Sequence, residues 1–434
     1  MSLSNKAIDR LGKQLVTNSD QDPDLLIQLQ EFRVSHKEAL SKVFNTVCDI
    51  SKTIRKQSIV TYRIKRIDSI IRKLERLQNR KLSKIGDIGG CRCILKNNSQ
   101  VYKLRDEIGK VFNIRKENDY FKDLQESGYK SLHLYLDVPG ESKQIELQIR
   151  NQLDHNWATL VEISDVIFDA GLKEYSKDRK LFRFHYLLSK PTLNYKEMSE
   201  VANIIDEYDY IEKLSEVFSR NNNAVRKQWM KIEENPNNKF FLIASNKNDI
   251  PSITSFKTFE SAEQSYLETY LDKSNTNLLL THLPDPNYDQ ISIAYSNYIL
   301  TFHSFLSNLF SHLKSLIKKA LVEENVFNSI KYFNLYYKTN YSHFKNIIEE
   351  VVHRYDYHNS NKTNKKQTAR EKAWDKKLQK SIDQITLETK NFRKIIESNV
   401  PNSFFRRVIL KQSFIHISKK YSRKMDSILK QQSE

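Results

Sequence analysis

Between residues 62 and 155 of this 434-residue chain, charged and aromatic side chains recur in short clusters suited to phosphate chemistry. Tyr62-Arg63-Ile64-Lys65 leads to Ser69-Ile70-Ile71-Arg72-Lys73 and then to Asp87-Ile88-Gly89-Gly90-Cys91-Arg92. Further on come Asp119-Tyr120, Gly128-Tyr129-Lys130-Ser131-Leu132-His133 and Glu146-Leu147-Gln148-Ile149-Arg150. As chemistry, this is a cationic approach, a carboxylate at the start of a strand, an aromatic beside a flexible glycine, and a second carboxylate on a strand face. Those parts suit transfer from a nucleoside triphosphate. Cations hold the phosphates, Mg²⁺ neutralises developing charge, and a further group orients the attacking hydroxyl. Mg²⁺ prefers oxygen and is often held by one or two carboxylates plus phosphate oxygens. Asp87 and Glu146 can supply those carboxylates. The chain has neither G-x-x-x-x-G-K-[ST] nor G-x-G-x-x-G, so a P-loop or dinucleotide-binding site has little support.

The elements that must position these residues can be read from periodicity. Asp22-Pro23-Asp24 is a helix start, and Phe32, Leu40, Val43, Phe44 and Val47 predict one amphipathic helix over 24–57. A second helix is expected over 68–80, a short buried strand over 88–95, and a helix over 99–113. Then Leu132, Leu134, Leu136 and Val138 alternate with Ser131, His133, Tyr135 and Asp137, and Pro139-Gly140 turns the chain. Ile145, Leu147 and Ile149 alternate with Glu146, Gln148 and Arg150. Period two places each set on one sheet face, so one face of a hairpin gathers His133, Glu146, Gln148 and Arg150. A helix follows over 151–165, in which His155 and Trp157 read as anchors. Residues 166–232 read as helical. Short strands are expected at 240–243, 253–256, 278–280 and 291–295, with a helix over 258–272 between two of them. The remainder reads as helical and basic, broken by the polar stretch 358–370.

Composition sharpens the map. The net charge is +18, and two blocks carry all of it. Residues 51–100 hold 14 basic and 3 acidic side chains, and residues 351–434 hold 20 and 8. Two polyanion-facing surfaces are the expectation. There are 8 glycines, six of them between 86 and 140 and none after 171, which places nucleotide chemistry in the N-terminal part. Cys48, Cys91 and Cys93 are too few for a disulfide framework and suit a reducing compartment. Cys91 and Cys93 lack a second ligand pair and read as small apolar strand residues. No apolar run approaches the roughly 20 residues of a membrane span, and no signal core opens the chain, so a cytoplasmic location is expected.

The order and spacing of the clusters over about 62–165 resemble the synthetase domain of RelA/SpoT-type (p)ppGpp synthetases. The resemblance implies an α+β fold: a nucleotidyltransferase-like mixed sheet flanked by helices. To it the periodicity adds a small C-terminal α/β module and a basic helical tail. The expected parts are a helical segment over 1–57, the synthetase domain over 58–165, a connector over 166–232, the module over 233–315 and the tail over 316–434. The implied chemistry moves pyrophosphate from ATP to a ribose 3′-hydroxyl and releases AMP. Arg63, Lys65, Lys73 and Arg92 would hold ATP. Asp87 would bind Mg²⁺, and Glu146 would share it or act as general base. Tyr129 would stack on the acceptor base, His133 would touch the acceptor's sugar or phosphates, and Gln148 and Arg150 would complete the polar acceptor-binding face. Leu124, Gln125, Ser127 and Asn118 stand where the family often has Pro, Lys, Asn and a charged residue, so the ATP half matches better than the acceptor half. No His-Asp dipeptide occurs and about 60 residues precede the domain, so a synthetase without its own hydrolase is expected. That fits the toxic branch of the family, with GDP/GTP or the 3′ CCA end of tRNA as acceptor and an antitoxin or trigger protein as a further candidate partner. An inactive RNA-binding scaffold is the alternative from another class.

The tail supports two readings. Tyr332, Phe333, Tyr336, Tyr337, Tyr341 and Phe344 among lysines either grip RNA by stacking or form a core with a solvated basic face. Residues 374–396 place Trp374, Leu378, Ile382, Ile385, Phe392, Ile395 and Ile396 near helical spacing, for a bundle core or a partner helix. Residues 404–430 mix Arg406, Arg407, Lys411, Lys419, Lys420, Arg423 and Lys424 with Ile409, Phe414 and Ile417, suiting RNA, acidic lipid or an acidic partner.

Overall fold

A computed structural model describes residues 4–17, 22–77, 81–172, 177–233, 235–245, 250–272, 277–283, 288–295, 305–360 and 403–431, with scattered positions between 376 and 398. The chain divides into two compact units, residues 1–166 with 224–301, and residues 167–223 with 302–434.

The first unit is built on one mixed sheet. Its strands are β1 (Ile59–Ile64), β2 (Gly89–Leu95), β3 (Asn113–Asp119), β4 (Leu132–Asp137), β5 (Gln144–Asn151), β6 (Phe240–Ser245), β7 (Ser252–Phe256) and β8 (Asn277–His282). Their order across the sheet is β3-β4-β5-β2-β1-β8-β6-β7. Only β2 and β5 run parallel; the other neighbours are antiparallel. The α+β class and the helix-flanked mixed sheet agree with the sequence reading. Cys91, Cys93, Leu134, Leu136, Ile145, Leu147 and Ile149 lie on one face, all at most 1% exposed, in one core with Leu40, Val43, Val47, Val101 and Leu104 of the helices Lys37–Ile54 and Asn98–Gly109. The cysteines are free and buried, apolar in role as expected.

Several local features depart from the periodicity. The single helix expected over 24–57 is two, Pro23–Val34 and Lys37–Ile54. Ser35 Oγ donates to the Phe32 carbonyl at 2.7 Å, and His36 Nδ1 lies 3.0 Å from the same oxygen, so side chains take an acceptor that the next helical turn would use. The strand β3 was not expected, because Asn113–Asp119 is almost wholly polar; it sits at the sheet edge, where one-sided burial suffices. β1 was likewise unread. Residues 291–295, expected as a strand, belong to a helical turn: the helix Tyr288–Ala294 buries Ile291, Ala294 and Tyr295 at i, i+3 and i+4. The expected separate module at 233–315 has no sheet of its own. β8 pairs with β1 at Tyr62↔His282 and Arg63↔Thr281, and Leu242, Phe259, Tyr266, Leu278 and Leu280 share the core that holds Ile67 and Ile70. The burial of apolar residues from both segments in one core outweighs separation along the chain.

The second unit holds, among its described residues, the helices Arg179–Leu188, Tyr195–Glu207, Phe305–Val322, Val326–Ser360 and Phe404–Gln431. Tyr332, Phe333, Tyr336, Tyr337 and Phe344 are buried, so these aromatics are core and cannot stack on RNA bases. The last helix packs a stripe of Leu410, Ile417 and Tyr421 inward, with Phe414 against Phe333 and Tyr337. Lys411, Lys419, Lys420, Arg423 and Lys424 face solvent. The apolar set from Trp374 to Ile396, and 361–370 of the polar stretch, lie outside the described residues.

Leu147 is fully buried between Cys91 and Leu134 on the neighbouring strands. Leu147→Ala is expected to cost about 2–5 kcal/mol in urea unfolding. A loss below about 1 kcal/mol would show that the sheet is not the core of this unit.

Candidate active site

The parallel register of β2 and β5 builds the site. Gly90 lies opposite Glu146, and Arg92 opposite Gln148. On the other side of β2, β1 places Arg63 opposite Gly90 and Thr61 opposite Arg92. On the other side of β5, β4 places Tyr135 opposite Glu146 and His133 opposite Gln148. These residues share the sheet face turned away from Cys91 and Leu147. A Cβ on Gly90 would meet only the Arg63 carbonyl at 3.8 Å. The missing side chain leaves a floor of bare backbone in a cavity of about 290 Å³.

At one end of this cavity Asp87 holds two lysines. Its Oδ2 accepts from Lys65 Nζ at 2.8 Å and its Oδ1 from Lys73 Nζ at 2.9 Å. Lys65 comes from the end of β1 and Lys73 from the helix Ile67–Arg76, so one carboxylate ties two elements together. Burial disfavours charge on Asp87, but the two ammoniums outweigh it and hold its pKa down at about 2. Burial lowers the Lys65 pKa, against the pull of Asp87. Arg92 donates to the Ala294 carbonyl at 3.1 Å. Burial, then the Arg150 and Arg63 charges, lower its pKa to about 10, so it stays cationic at neutral pH.

At the other end Glu146 is gripped by three donors. Tyr135 Oη donates to Oε1 at 3.1 Å, Gln148 Nε2 to Oε2 at 3.0 Å, and His133 Nδ1 lies 3.1 Å from Oε1. Tyr129 Oη lies 2.9 Å from His133 Nε2 and accepts from Arg150 Nη2 at 2.8 Å. Protonated on Nδ1, His133 donates to Glu146 Oε1, and its Nε2 is hydrogen-bonded to Tyr129 Oη. Burial opposes ionisation of Glu146, and the His133 bond and charge outweigh it, so its pKa is lowered. The His133 pKa is raised: burial opposes this, and Tyr129 and Glu146 prevail. Burial would raise the Tyr129 phenol, but Arg150 and His133 bring it to about 8. A carboxylate has about four lone-pair sites, and three on Glu146 are taken. The remaining capacity of Glu146 and Asp87, two hard-oxygen groups on one cavity, suits Mg²⁺ completed by phosphate oxygens. Among the described residues no cluster of three or more His, Cys, Asp or Glu side chains forms an all-protein metal cage.

The model of the region found in RelA / SpoT proteins matches residues 62–166, which contain every residue of this arrangement except Thr61, Ala294 and Tyr295. Residues 62–166 are a RelA/SpoT region. The guanosine-3′,5′-bis(diphosphate) 3′-pyrophosphohydrolase of Borreliella burgdorferi is 31% identical over 120 residues, 26% of this chain and 18% of that protein. The chain thus spans about a fifth of that relative's length. The GTP pyrophosphokinase YjbM of Bacillus subtilis is 26% identical over 196 residues, 42% of this chain and 91% of that protein. The small alarmone synthetase 1 of Bacillus subtilis, solved with its product pppGpp, is 20% identical, with a TM-score of 0.33, covering 43% of this chain and 96% of that one.

Of the residues singled out from sequence, Arg63, Lys65, Asp87, Arg92, His133, Glu146 and Gln148 line the cavity of the RelA/SpoT region. Lys73, Tyr129 and Arg150 stand behind them, bonded to lining residues or to each other. Tyr129 is half-buried, with the Arg150 guanidinium 5.2 Å from its ring centre. His155 is buried, with Nε2 2.7 Å from the Ile293 carbonyl, and so anchors its helix. The lining also includes Thr61, Tyr120, Tyr135 and Tyr295. Tyr135 was legible, since it alternates in phase with His133. Tyr295 comes from a segment far along the chain, beside Thr281, to which its hydroxyl is hydrogen-bonded, and no local pattern marks it.

The depressed Asp87 pKa carries a sign for stability. The contribution of Asp87 is present above its ordinary value of 3.8 and is lost as pH falls through about 2. The urea midpoint of wild type is expected to exceed that of Asp87→Asn at pH 5, with the gap closing toward pH 2.5. A gap independent of pH would count against the Lys65–Asp87–Lys73 linkage.

Proposed function

We propose that the chain is an Mg²⁺-dependent pyrophosphokinase that transfers pyrophosphate from ATP to the ribose 3′-hydroxyl of GDP or GTP. One observation carries the reading: Asp87 and Glu146 face the same cavity with Arg63, Lys65 and Arg92 between and beside them. Arg63, Lys65, Lys73 and Arg92 hold the ATP phosphates, Lys65 and Lys73 exchanging their bonds to Asp87 for bonds to phosphate oxygens. Mg²⁺, when bound by Asp87 and Glu146, would neutralise charge on the phosphoryl oxygens. The 3′-oxygen bonds to the β-phosphorus, the bond from that phosphorus to the α–β bridging oxygen breaks, and AMP leaves with the bridging oxygen. The hydroxyl proton passes toward Glu146. Its lowered pKa makes Glu146 an orienting acceptor more than a strong base. His133, Gln148, Arg150 and Tyr129 form the acceptor side. The naming of a similar protein as a GTP pyrophosphokinase favours a guanine nucleotide.

A second acceptor, the 3′ end of tRNA, is favoured by the solvent-facing cations of the helix Phe404–Gln431. ATP labelled in the β-phosphate, incubated with GDP/GTP or with bulk tRNA, separates the readings. Label in nucleotide alone removes tRNA, and label in RNA alone removes the alarmone. AMP release that depends on Asp87 removes the inactive-scaffold reading. Glu146→Gln is expected to abolish transfer to either acceptor; an unimpaired variant would overturn the site.

Tyr129 adds a pH dependence. Above about pH 8 its phenolate places negative charge on the acceptor side. The KM for the anionic acceptor is expected to rise there in wild type and to stay flat in Tyr129→Phe. The same alkaline rise in both would exclude Tyr129 as its source.

A further inference from the structure

The segment between β1 and Lys73 is held by residues from outside the RelA/SpoT region. Arg33, fully buried, donates from Nε to the Lys65 carbonyl at 2.8 Å. The Lys65 N–H donates to the Ile88 carbonyl at 2.8 Å, beside Asp87, so the Lys65 peptide is pinned on both sides. The guanidinium of Arg33 is fixed in turn by the helix Phe259–Asp272. Glu263 lies 3.5 Å from Nη1, Gln30 bonds both Arg33 and Glu263, and the Tyr266 ring centre lies 4.4 Å from the Arg33 guanidinium carbon. Tyr266 Oη accepts from the Ile67 N–H at 3.2 Å, and Tyr270 Oη donates to Asp68 Oδ1 at 2.6 Å. Thus one helix, directly and through Arg33, grips residues 65, 67 and 68, the joint between β1 and the helix that carries Lys73.

We propose that Arg33, Tyr266 and Tyr270 are positioning residues for Lys65 and Lys73, so that the helix Phe259–Asp272 sets the ATP affinity of the cavity. The inference rests on the reading of these lysines as ATP ligands. Phosphate binding requires both ammoniums at a common point, and that point is defined by the angle between β1 and the helix Ile67–Arg76. Arg33 fixes the carbonyl at the end of β1, and the two tyrosines fix the first turn of the helix. Such coupling is reciprocal: ligand at the lysines must in turn steady the helix Phe259–Asp272.

Titration with α,β-methylene ATP and Mg²⁺, and separately with GDP, tests this on the full chain. Amide exchange over 259–272 is followed with and without the ATP analogue. The double variant Tyr266→Phe/Tyr270→Phe keeps both rings and loses only two hydroxyls, so it tests the idea even where Arg33→Met fails to fold. The expected result is ATP-analogue affinity lower by about 5- to 30-fold in the double variant, as loss of one or two hydrogen bonds implies. GDP affinity should be unchanged. The analogue should slow exchange over 259–272 in wild type and not in the variant. Wild-type binding with equal affinity in the variant, or an equal loss for GDP and the analogue, would overturn the positioning role. Failure of the wild type itself to bind the analogue would overturn the ATP reading on which it rests.

Discussion

The pairing of β2 with β5 is the constraint on which the site depends. It is the single parallel contact in the sheet, and it sets Gly90 beside Glu146 and Arg92 beside Gln148. A parallel pair cannot be closed by a tight turn, so a crossover must intervene, and residues 96–143 supply it. A slip of β5 by one residue would move Glu146 and Gln148 to the core face and bring Leu147 and Ile149 out. Burial of Leu147, Ile149, Cys91 and Cys93 in the core therefore enforces the register that assembles the charged face. The geometry of the charged face and hydrophobic packing are two faces of one alignment.

The charged groups are prearranged by mutual neutralisation. Burying a carboxylate or an ammonium alone is costly, and pairing offsets much of that cost. Asp87 between Lys65 and Lys73, and Glu146 among His133, Tyr135 and Gln148, are both solutions to that problem. The first leaves an excess positive charge that anionic phosphate can satisfy. The second leaves a carboxylate held in one orientation by donors from two strands. The low pKa of Asp87 and the raised pKa of His133 follow from the same pairing.

The positive charge of the chain separates into parts with different surroundings. Residues 51–100 contribute Arg63, Lys65, Lys73 and Arg92, which converge on or behind the cavity. In residues 404–431 the cations lie on the outside of a helix whose buried stripe is Leu410, Ile417 and Tyr421. The aromatic run from Tyr332 to Phe344 has the composition of a nucleic-acid surface, and most of its rings lie in a helical core. Composition alone does not distinguish an exposed aromatic from a buried one.

The sequence by itself determined the β4–β5 hairpin and the face on which His133, Glu146, Gln148 and Arg150 gather, because period-two alternation is a local property of the chain. It also determined the cationic approach, the apolar role of Cys91 and Cys93, and the order of clusters that marks the RelA/SpoT region. It did not determine β3, whose edge position needs no apolar pattern, or the helical turn at 291–295, where five residues suit either period. The tertiary structure alone decided that β6–β8 continue the sheet that carries the cavity, that Tyr295 lines that cavity, and that Arg33 and the helix Phe259–Asp272 hold residues 65, 67 and 68. Most of these are contacts between residues about 200 positions apart, such as Asp68 with Tyr270. They are set by which apolar faces bury one another, and neither local propensity nor spacing records that choice.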